Sequence, residues 1–544
     1  MEQKFFESCQ CFITPISPIH IGCGEDFEPT NYVIDSGWLY NFDPSRAFLS
    51  SEDREELLKA TDADGYKEIA NFFAKRKNNY KAYATALVRV SAEAQTRYRN
   101  LKDVATSNHA ASKDFSINRT TYCLDENQFP YIPGSSIKGS IITAIVDKRN
   151  NQLKNPIKNN NEITALIGGD FETSPMRLLK IADFMPIKTV ATYITLAQRM
   201  KKHLRIDKTS SHNTKTNENS AVPNYVEVIL PGQYRSFKGA IELPTKTYLK
   251  KYEEQSKVKA SVDAGKIEKS VDNTITDFKI LLKDIHRYNM LCLKAEFEDF
   301  ATHVKTKNWK ETVEKILIAL DKLAEQGNVC LIRLGKNCGA ESKTLLDSAK
   351  IENRQERTTS NKTSTAWRAL LTQNDEEPFG WAILEIAPTE DCAVLQNNKL
   401  DVSNLCNGKQ DIIATVNKLY LEAEKNKESL IEEEKKATAQ RKAQEELEKQ
   451  QEQERLDNMS TNQKSVNTLV DKISNNDGPV DVGTELHDET MALVELAASE
   501  NSSWSKEEKA YLVETLWKFL SKKKMDKGKA TKFFKKMKEQ LLKD

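Results

Sequence analysis

The segment Phe129-Pro130-Tyr131-Ile132-Pro133-Gly134-Ser135-Ser136-Ile137-Lys138-Gly139 runs straight into the apolar helical stretch Ser140–Val146. It reads as a strand end, a glycine turn and a helix start, so strand and helix must alternate here. Gly134 and Gly139 let backbone N–H groups approach an anion, the helix aims its partial positive end the same way, and Lys138 adds a full charge. The pattern predicts a phosphate-binding corner. It also suits a plain strand-to-helix connection in any α/β protein.

Three further elements are of the same kind. Pro18-Ile19-His20-Ile21-Gly22-Cys23-Gly24-Glu25-Asp26 puts a histidine at a strand end ahead of two glycines. Tyr234-Arg235-Ser236-Phe237-Lys238-Gly239 interleaves basic and aromatic residues before a strand. The run from Arg333 through Gly335, Lys336, Cys338 and Gly339 to Lys343 and Thr344 is a glycine-rich loop with two lysines and an arginine. Backbone N–H groups with Lys and Arg suit phosphates, and Tyr and Phe can stack bases. Together they predict a groove for single-stranded RNA. A nucleotide hydrolase is excluded on spacing: a Walker loop needs lysine directly after its last glycine, whereas Lys343 lies well beyond Gly339 and Lys138 precedes Gly139.

A chain of 544 residues exceeds what one core usually serves, and about two to four domains are expected. Lys and Arg number 81 against 80 Asp and Glu, a formal net charge of +1. That balance excludes a chain-wide basic coat but not a basic groove offset elsewhere. The N-terminus lacks a signal-peptide core and no stretch is apolar for the length of a membrane span, so a cytoplasmic protein with no membrane partner is expected. The nine cysteines are scattered without zinc-site spacing; free thiols and no metal or other cofactor are expected.

Residues 9–44 have a strand pattern, with runs at 11–15, 19–22, 31–35 and 38–42, followed by a mostly polar helical region to about 103. The strand pattern resumes at 178–186, 225–230, 239–244, 329–335 and 380–386, with long helices over 272–326. Residues 208–217 have almost nothing to bury and read as a mobile surface loop. Residues beyond about 400 read as an appendage the body does not need in order to fold: a polar helix or weak coiled coil over 413–457, a polar linker over 458–481, then a bundle of about three helices over 484–544. There Ser505 and Glu508 form a capping-box pattern, and Leu512, Val513, Leu516, Trp517 and Leu520 share one helix face. Lysines outnumber acidic residues about two to one over 505–544, which reads as a solvated basic face before it reads as an RNA contact.

His20-Ile21-Gly22-Cys23-Gly24, then Tyr131 to Gly139, then Arg333 to Thr344, then Pro378-Phe379-Gly380-Trp381 occur in the order seen in the RAMP proteins of type III CRISPR effectors. The chain resembles that superfamily over about residues 8–390, and most of all the family of the fifth Csm subunit of the III-A complex. The resemblance implies an α+β fold of two ferredoxin-like, RNA-recognition-type RAMP units with helical insertions, over 1–200 and 222–395, plus a helical C-terminal appendage. It implies a non-catalytic subunit that caps the crRNA 3′-proximal end and supports its maturation and complex assembly. Implied partners are crRNA, target RNA in the assembled complex, other Csm RAMP subunits and the small helical subunit. RNA-binding residues are then His20, Gly22, Gly24, Gly134, Ser135, Ser136, Lys138, Arg235, Lys238, Arg333, Gly335, Lys336, Gly339 and Lys343. Cys23 and Cys338 within the glycine motifs depart from the family pattern. The alternative is another RAMP subunit with metal-dependent or His-based endoribonuclease activity, for which Asp26, Asp35 and Asp114 are available as loop aspartates and His20 as a base. No motif singles out one of these aspartates, and a lone histidine beside a strand reads as structural.

Overall fold

The computed structural model describes residues 4–28, 30–46, 49–62, 66–103, 116–124, 127–153, 156, 174–202, 224–255, 273–346, 351–353, 358–360, 362–372, 375–387, 395, 401–406, 410–476, 478–520 and 527–542. The expected mobile loop at 208–217 and Asp114 lie outside the described residues. The chain divides into two compact units, 1–429 and 430–544.

The first unit opens with strands β1 (Phe6–Pro15), β2 (Gly22–Phe27), β3 (Tyr32–Asp35) and β4 (Trp38–Phe42). Helices α1 (Ser51–Asp62), α2 (Tyr66–Lys75) and α3 (Lys77–Ala82), strand β5 (Ala84–Val90), helix α4 (Ala92–Asp103) and strand β6 (Ile117–Thr120) come next. Then come α5 (Gly134–Gln152), β7 (Lys180–Ile181), β8 (Met185–Pro186), β9 (Thr192–Lys201), β10 (Asn224–Ile229), β11 (Phe237–Pro244) and α6 (Lys246–Glu253). Helices α7 (Phe278–Asp299) and α8 (Lys307–Glu325) precede β12 (Val329–Arg333), β13 (Ile351–Asn353), β14 (Thr358–Ser360), β15 (Thr365–Thr372), β16 (Asp375–Pro378) and β17 (Trp381–Ile386). Helix α9 (Gln410–Asp457) begins in this unit and continues into the next.

This is a mixed α/β fold on two main sheets. One has the order β12-β17-β1-β11-β7, with β8 also on β11; the other runs β2-β6-β10-β9-β5-β4-β3, with β15 on β9 and β16 on β15. Strand β1 is central because its inner half, Cys11 to Pro15, is buried and therefore needs neighbours on both sides. Antiparallel pairing joins Phe6–Ile13 to Pro244–Phe237, and Cys11–Pro15 to Ile386–Ala382. An N-terminal strand thus sits between two late ones, and the strands do not divide between the sheets in consecutive blocks. Helices α5, α7 and α8 contribute Ile137, Ile141, Leu281, Ile285, Val313 and Leu320 to the core around the first sheet. Each such residue contributes about 1.5–3 kcal/mol on burial.

Several elements differ from the sequence reading. Strand β5 lies inside the stretch expected to be wholly helical: seven residues with Ala86, Leu87, Val88 and Val90 buried are too short to stand out between amphipathic helices. The run 178–186 forms two two-residue strands instead of one. The polar linker expected over 458–481 contains a helix, α10 (Thr461–Asn475), closed by a capping box between Ser460 and Gln463. Its Val466, Leu469, Val470 and Ile473 are buried at helical spacing, so among the described residues the bundle of the second unit has four helices, α10 with α11 (Glu485–Ala498), α12 (Lys506–Leu520) and α13 (Lys527–Leu541). Its core includes Leu512, Val513, Leu516, Met537 and Leu541. The expected cap is present: Glu508 N donates to Ser505 Oγ at 3.2 Å and Ser505 N donates to Glu508 Oε2 at 2.8 Å.

One carboxylate joins the two sheets. Glu296 on α7 accepts Arg333 Nη2 from β12 at 3.1 Å, Arg368 Nη1 from β15 at 2.8 Å and Trp381 Nε1 from β17 at 2.8 Å. Burial pushes its carboxyl up, but the two guanidiniums outweigh that and hold it below the usual carboxylate range. Replacing it leaves two buried cations with no counter-charge, so Glu296→Gln is expected to cost about 3–5 kcal/mol, read by chemical denaturation; a loss within error of zero would show that the cluster does not hold the sheets.

The body also extends beyond residue 400. Ile412 and Val416 of α9 enter the core with Phe72, Phe73 and Tyr80, and Tyr420 Oη accepts Leu87 N at 3.2 Å while donating to Asn127 O at 3.1 Å. A chain ending at Ser429 is expected to melt like the body in the full chain. One ending near 400 is expected to lose about 1.5–3 kcal/mol for each of Ile412 and Val416, seen as a lower melting temperature.

Candidate functional site

Two of the glycine motifs meet. The loop after β12 folds back onto the segment before β2: Lys336 N donates to His20 O at 2.7 Å, Leu334 N to Gly380 O at 2.8 Å, and Gly380 N to Pro18 O at 2.8 Å. Gly335 has φ +89°, and a Cβ there would run into the His20 carbonyl; only glycine fits both the left-handed backbone and the close approach. The Lys336 side chain lies over Gly22, in the space a Cβ would take. Gly22-Cys23-Gly24 and Lys336 therefore form one ledge, with Gly24 and Lys336 exposed.

The rest of the loop is braced from beneath. Cys338 Sγ donates to Leu334 O at 3.1 Å and Ser342 Oγ to Cys338 O at 2.9 Å. Glu341 accepts the buried Lys202 and the Thr363 amide, and Tyr288 Oη donates to Thr344 O at 2.8 Å. These contacts leave Lys343 exposed and Gly339 half-buried.

His20 is buried, its Nδ1 2.8 Å from Glu227 O. Burial pulls its pKa down to about 4; the Glu227 carbonyl opposes this and the Lys336 ammonium adds to it. The imidazole is neutral near pH 7 and acts as a spacer beneath the ledge. Asp26 accepts Asn118 Nδ2 at 2.7 Å, and Asp35 is paired to Lys77 at 2.6 Å and Lys81 at 2.9 Å.

The Gly134 corner differs from the phosphate site its sequence suggests. The Gly134 amide donates to Asp183 Oδ1 at 2.7 Å, so a carboxylate of the chain itself meets the positive end of α5. Lys138 Nζ donates to Leu179 O at 2.7 Å, while Ser135 is exposed and Ser136 half-buried in the first turn. The corner is linked to the ledge through Thr121, whose amide donates to Ile21 O at 2.7 Å and whose hydroxyl donates to Tyr131 O at 2.6 Å.

Two of the arginines are turned inward. Arg235, buried with φ +42°, forks onto Glu385 with Nε at 3.0 Å and Nη2 at 2.7 Å and lies 4.3 Å over the Phe12 ring. Arg333 is buried against Glu296 and 4.5 Å over the Trp381 ring. Lys238, half-buried on β11, pairs in register with Phe12. The sequence reading also missed a neighbour of the ledge: Arg119 of β6 lies 3.7 Å over the Tyr122 ring and 4.4 Å over Phe27, and its carbonyl accepts Cys23 Sγ at 3.7 Å. The available signal was Arg119-Thr120-Thr121-Tyr122, a basic residue and an aromatic one three apart.

Residues 12–338 match the RAMP superfamily, which is more than half of the chain, and the chain belongs to that superfamily. Among solved structures it is similar to a chain of a Csm-crRNA-target RNA ternary complex of a type III-A CRISPR-Cas system, at 15% identity and a TM-score of 0.40, over 70% of this chain and 100% of that one. It is also similar to Csm5 of T. onnurineus, at 14% identity and a TM-score of 0.39, over 69% of this chain and 100% of that one. No curated protein matches it. No helix among the described residues is long and apolar enough to cross a membrane.

The buried imidazole has a titration consequence. The native state keeps His20 unprotonated down to about 4, whereas an unfolded histidine takes a proton below about 6.5. Its contribution to stability is therefore full above the unfolded value and is lost as pH falls toward the folded one, on the order of 3 kcal/mol. An NMR titration of His20 is expected to give a midpoint near 4, and His20→Gln to flatten the fall in stability across that window. A midpoint near the free value would mean that the ring is solvated.

Proposed function

We propose that this chain is the crRNA-binding, non-catalytic RAMP subunit of a type III-A (Csm) interference complex that caps the 3′-proximal end of the crRNA and supports its maturation and complex assembly. The observation that carries the reading is the seating of the Arg333–Thr344 loop on His20–Gly24 in a member of the RAMP superfamily. Exposed lysines and glycine backbone on one ledge suit a sugar-phosphate chain without reading its bases. Lys336 and Lys343 contact phosphates, Gly22, Gly24, Gly335 and Gly339 admit the backbone closely, and Ser135, Ser136, Lys138 and Lys238 extend the path. Gly134, Arg235, Arg333 and His20 shape the loops that carry these contacts. The two-sheet body is built from ferredoxin-like, RNA-recognition-type units, and the complex meets its target RNA, other Csm RAMP subunits and the small helical subunit in the cytoplasm. The buried, neutral His20 and the engaged Asp26 and Asp35 favour this over the endoribonuclease reading.

Lys336→Glu with Lys343→Glu is expected to weaken crRNA binding and to flatten its dependence on log salt by about 0.7 for each single-strand phosphate no longer neutralised. Unchanged affinity and slope would remove the ledge from the RNA path. In the assembled, crRNA-loaded complex His20→Asn is expected to leave target cleavage intact; loss of cutting with binding preserved would make this subunit a nuclease.

A further inference from the structure

A cavity of about 280 Å³ opens where α7 ends, the turn Val304–Thr306 follows and α8 begins, with Arg368 of β15 as its floor. Three side chains that line it, each more than nine-tenths buried, have a polar atom with no hydrogen-bond partner among the described residues: Arg368 Nε, His303 Nε2 and Thr306 Oγ1. Buried polar groups are otherwise satisfied almost throughout native proteins, so three at one cavity point to a ligand edge. The remaining wall is aromatic. Phe300 lies 3.5 Å beneath the Arg368 guanidinium and 4.9 Å from the His303 ring, and Phe297 packs 5.8 Å from Trp309.

Charge and size narrow the ligand. Glu296, Glu311 and Glu314 face the cavity along with Lys307, Lys310 and Arg368, so neither an anion nor a cation is favoured overall. The volume is at the lower end of the ~300–1,000 Å³ of small-molecule sites. Arg368 Nε donates only, a hydroxyl does both, and His303, whose pKa burial lowers, is neutral near pH 7 and offers one donor and one acceptor nitrogen.

We propose that this cavity binds a neutral, planar nitrogen heterocycle, a purine or pyrimidine base, with its faces against Phe297 and Phe300 and its polar edge on Arg368, His303 and Thr306. The base can belong to an RNA nucleotide or to a free nucleoside. The proposal stands apart from the glycine ledge, because Lys336 and Lys343 do not line the cavity. Glu296 nonetheless touches both places, bonding Arg368 in the cavity and Arg333 at the root of the loop.

The test uses the full chain, with adenosine, guanosine, cytidine and uridine each titrated by calorimetry and by saturation-transfer NMR. At least one nucleoside is expected to bind, and Thr306→Val, nearly isosteric, to weaken it about tenfold by removing one hydrogen-bonding group. His303→Gln serves as a second variant with the same expectation, and Lys336→Glu is expected to change nothing. A single-stranded pentanucleotide competes with the nucleoside if an RNA base is the source, and its abasic counterpart does not; competition by neither leaves the free nucleoside as the ligand. Absence of binding by every nucleoside and by the pentanucleotide, or binding indifferent to both variants, overturns the proposal and leaves the three polar atoms to water.

Discussion

The carboxylate of Glu296 is where this fold is tied together. It projects from α7 between β12 and β17 of one sheet and β15 of the other, and it accepts from Arg333, Trp381 and Arg368 at once. Two guanidiniums in a dry interior cost several kcal/mol each to desolvate, and the arrangement is tolerable only because one acceptor serves both while aromatic faces cover what remains. Arg333 then hands rigidity to Leu334 and Gly335, so the position of the exposed glycine loop is set by a charge network well beneath it. The Arg235–Glu385 fork does the same for the start of β11, reaching β17 across the Phe12 ring of β1.

Those networks explain which parts of the sequence were legible. The strands that frame the first sheet read correctly because Cys11 to Pro15, Val329 to Arg333 and Trp381 to Ile386 are nearly unbroken apolar runs, buried on both faces. Strand β5 was hidden because Ala84 to Val90 is short and follows helices with similar composition; its strand character comes from pairing with β4 and β9, which no local window contains. Helix α10 was hidden for the opposite reason. Its surface is polar enough to read as linker, and only the Val466, Leu469, Val470, Ile473 stripe shows the face it buries.

The site was legible in its motifs and less so in its charges. The meeting of Gly22 with Lys336 follows from two glycine-rich turns whose order matches the superfamily, although contact between segments more than 300 residues apart is a product of β1 lying beside β17. Sequence cannot distinguish an arginine that reaches solvent from one that faces a buried glutamate. Arg235 and Arg333 sit in basic, glycine-flanked stretches just as Lys336 does, yet their partners Glu385 and Glu296 are distant in sequence and lie on strand and helix interiors. Asp183 was likewise invisible as the anion at Gly134, because only the antiparallel bridge between Ile132 and Phe184 brings it there.

A division of labour between cation types follows from this geometry. The buried cations around the loops are mostly arginines in fixed hydrogen-bonded forks, whose planar donors suit carboxylates in low dielectric. The exposed ones at the ledge, Lys336 and Lys343, are lysines, whose flexible point charges follow a phosphate backbone without demanding a particular geometry. A surface meant to hold RNA of any guide sequence requires that tolerance, while the scaffold beneath it requires the opposite. Exchanging lysine for arginine at the ledge would keep the charge and lose the adaptability, whereas exchanging Arg333 or Arg368 for lysine would keep the charge and lose the shared acceptor geometry on which both sheets depend.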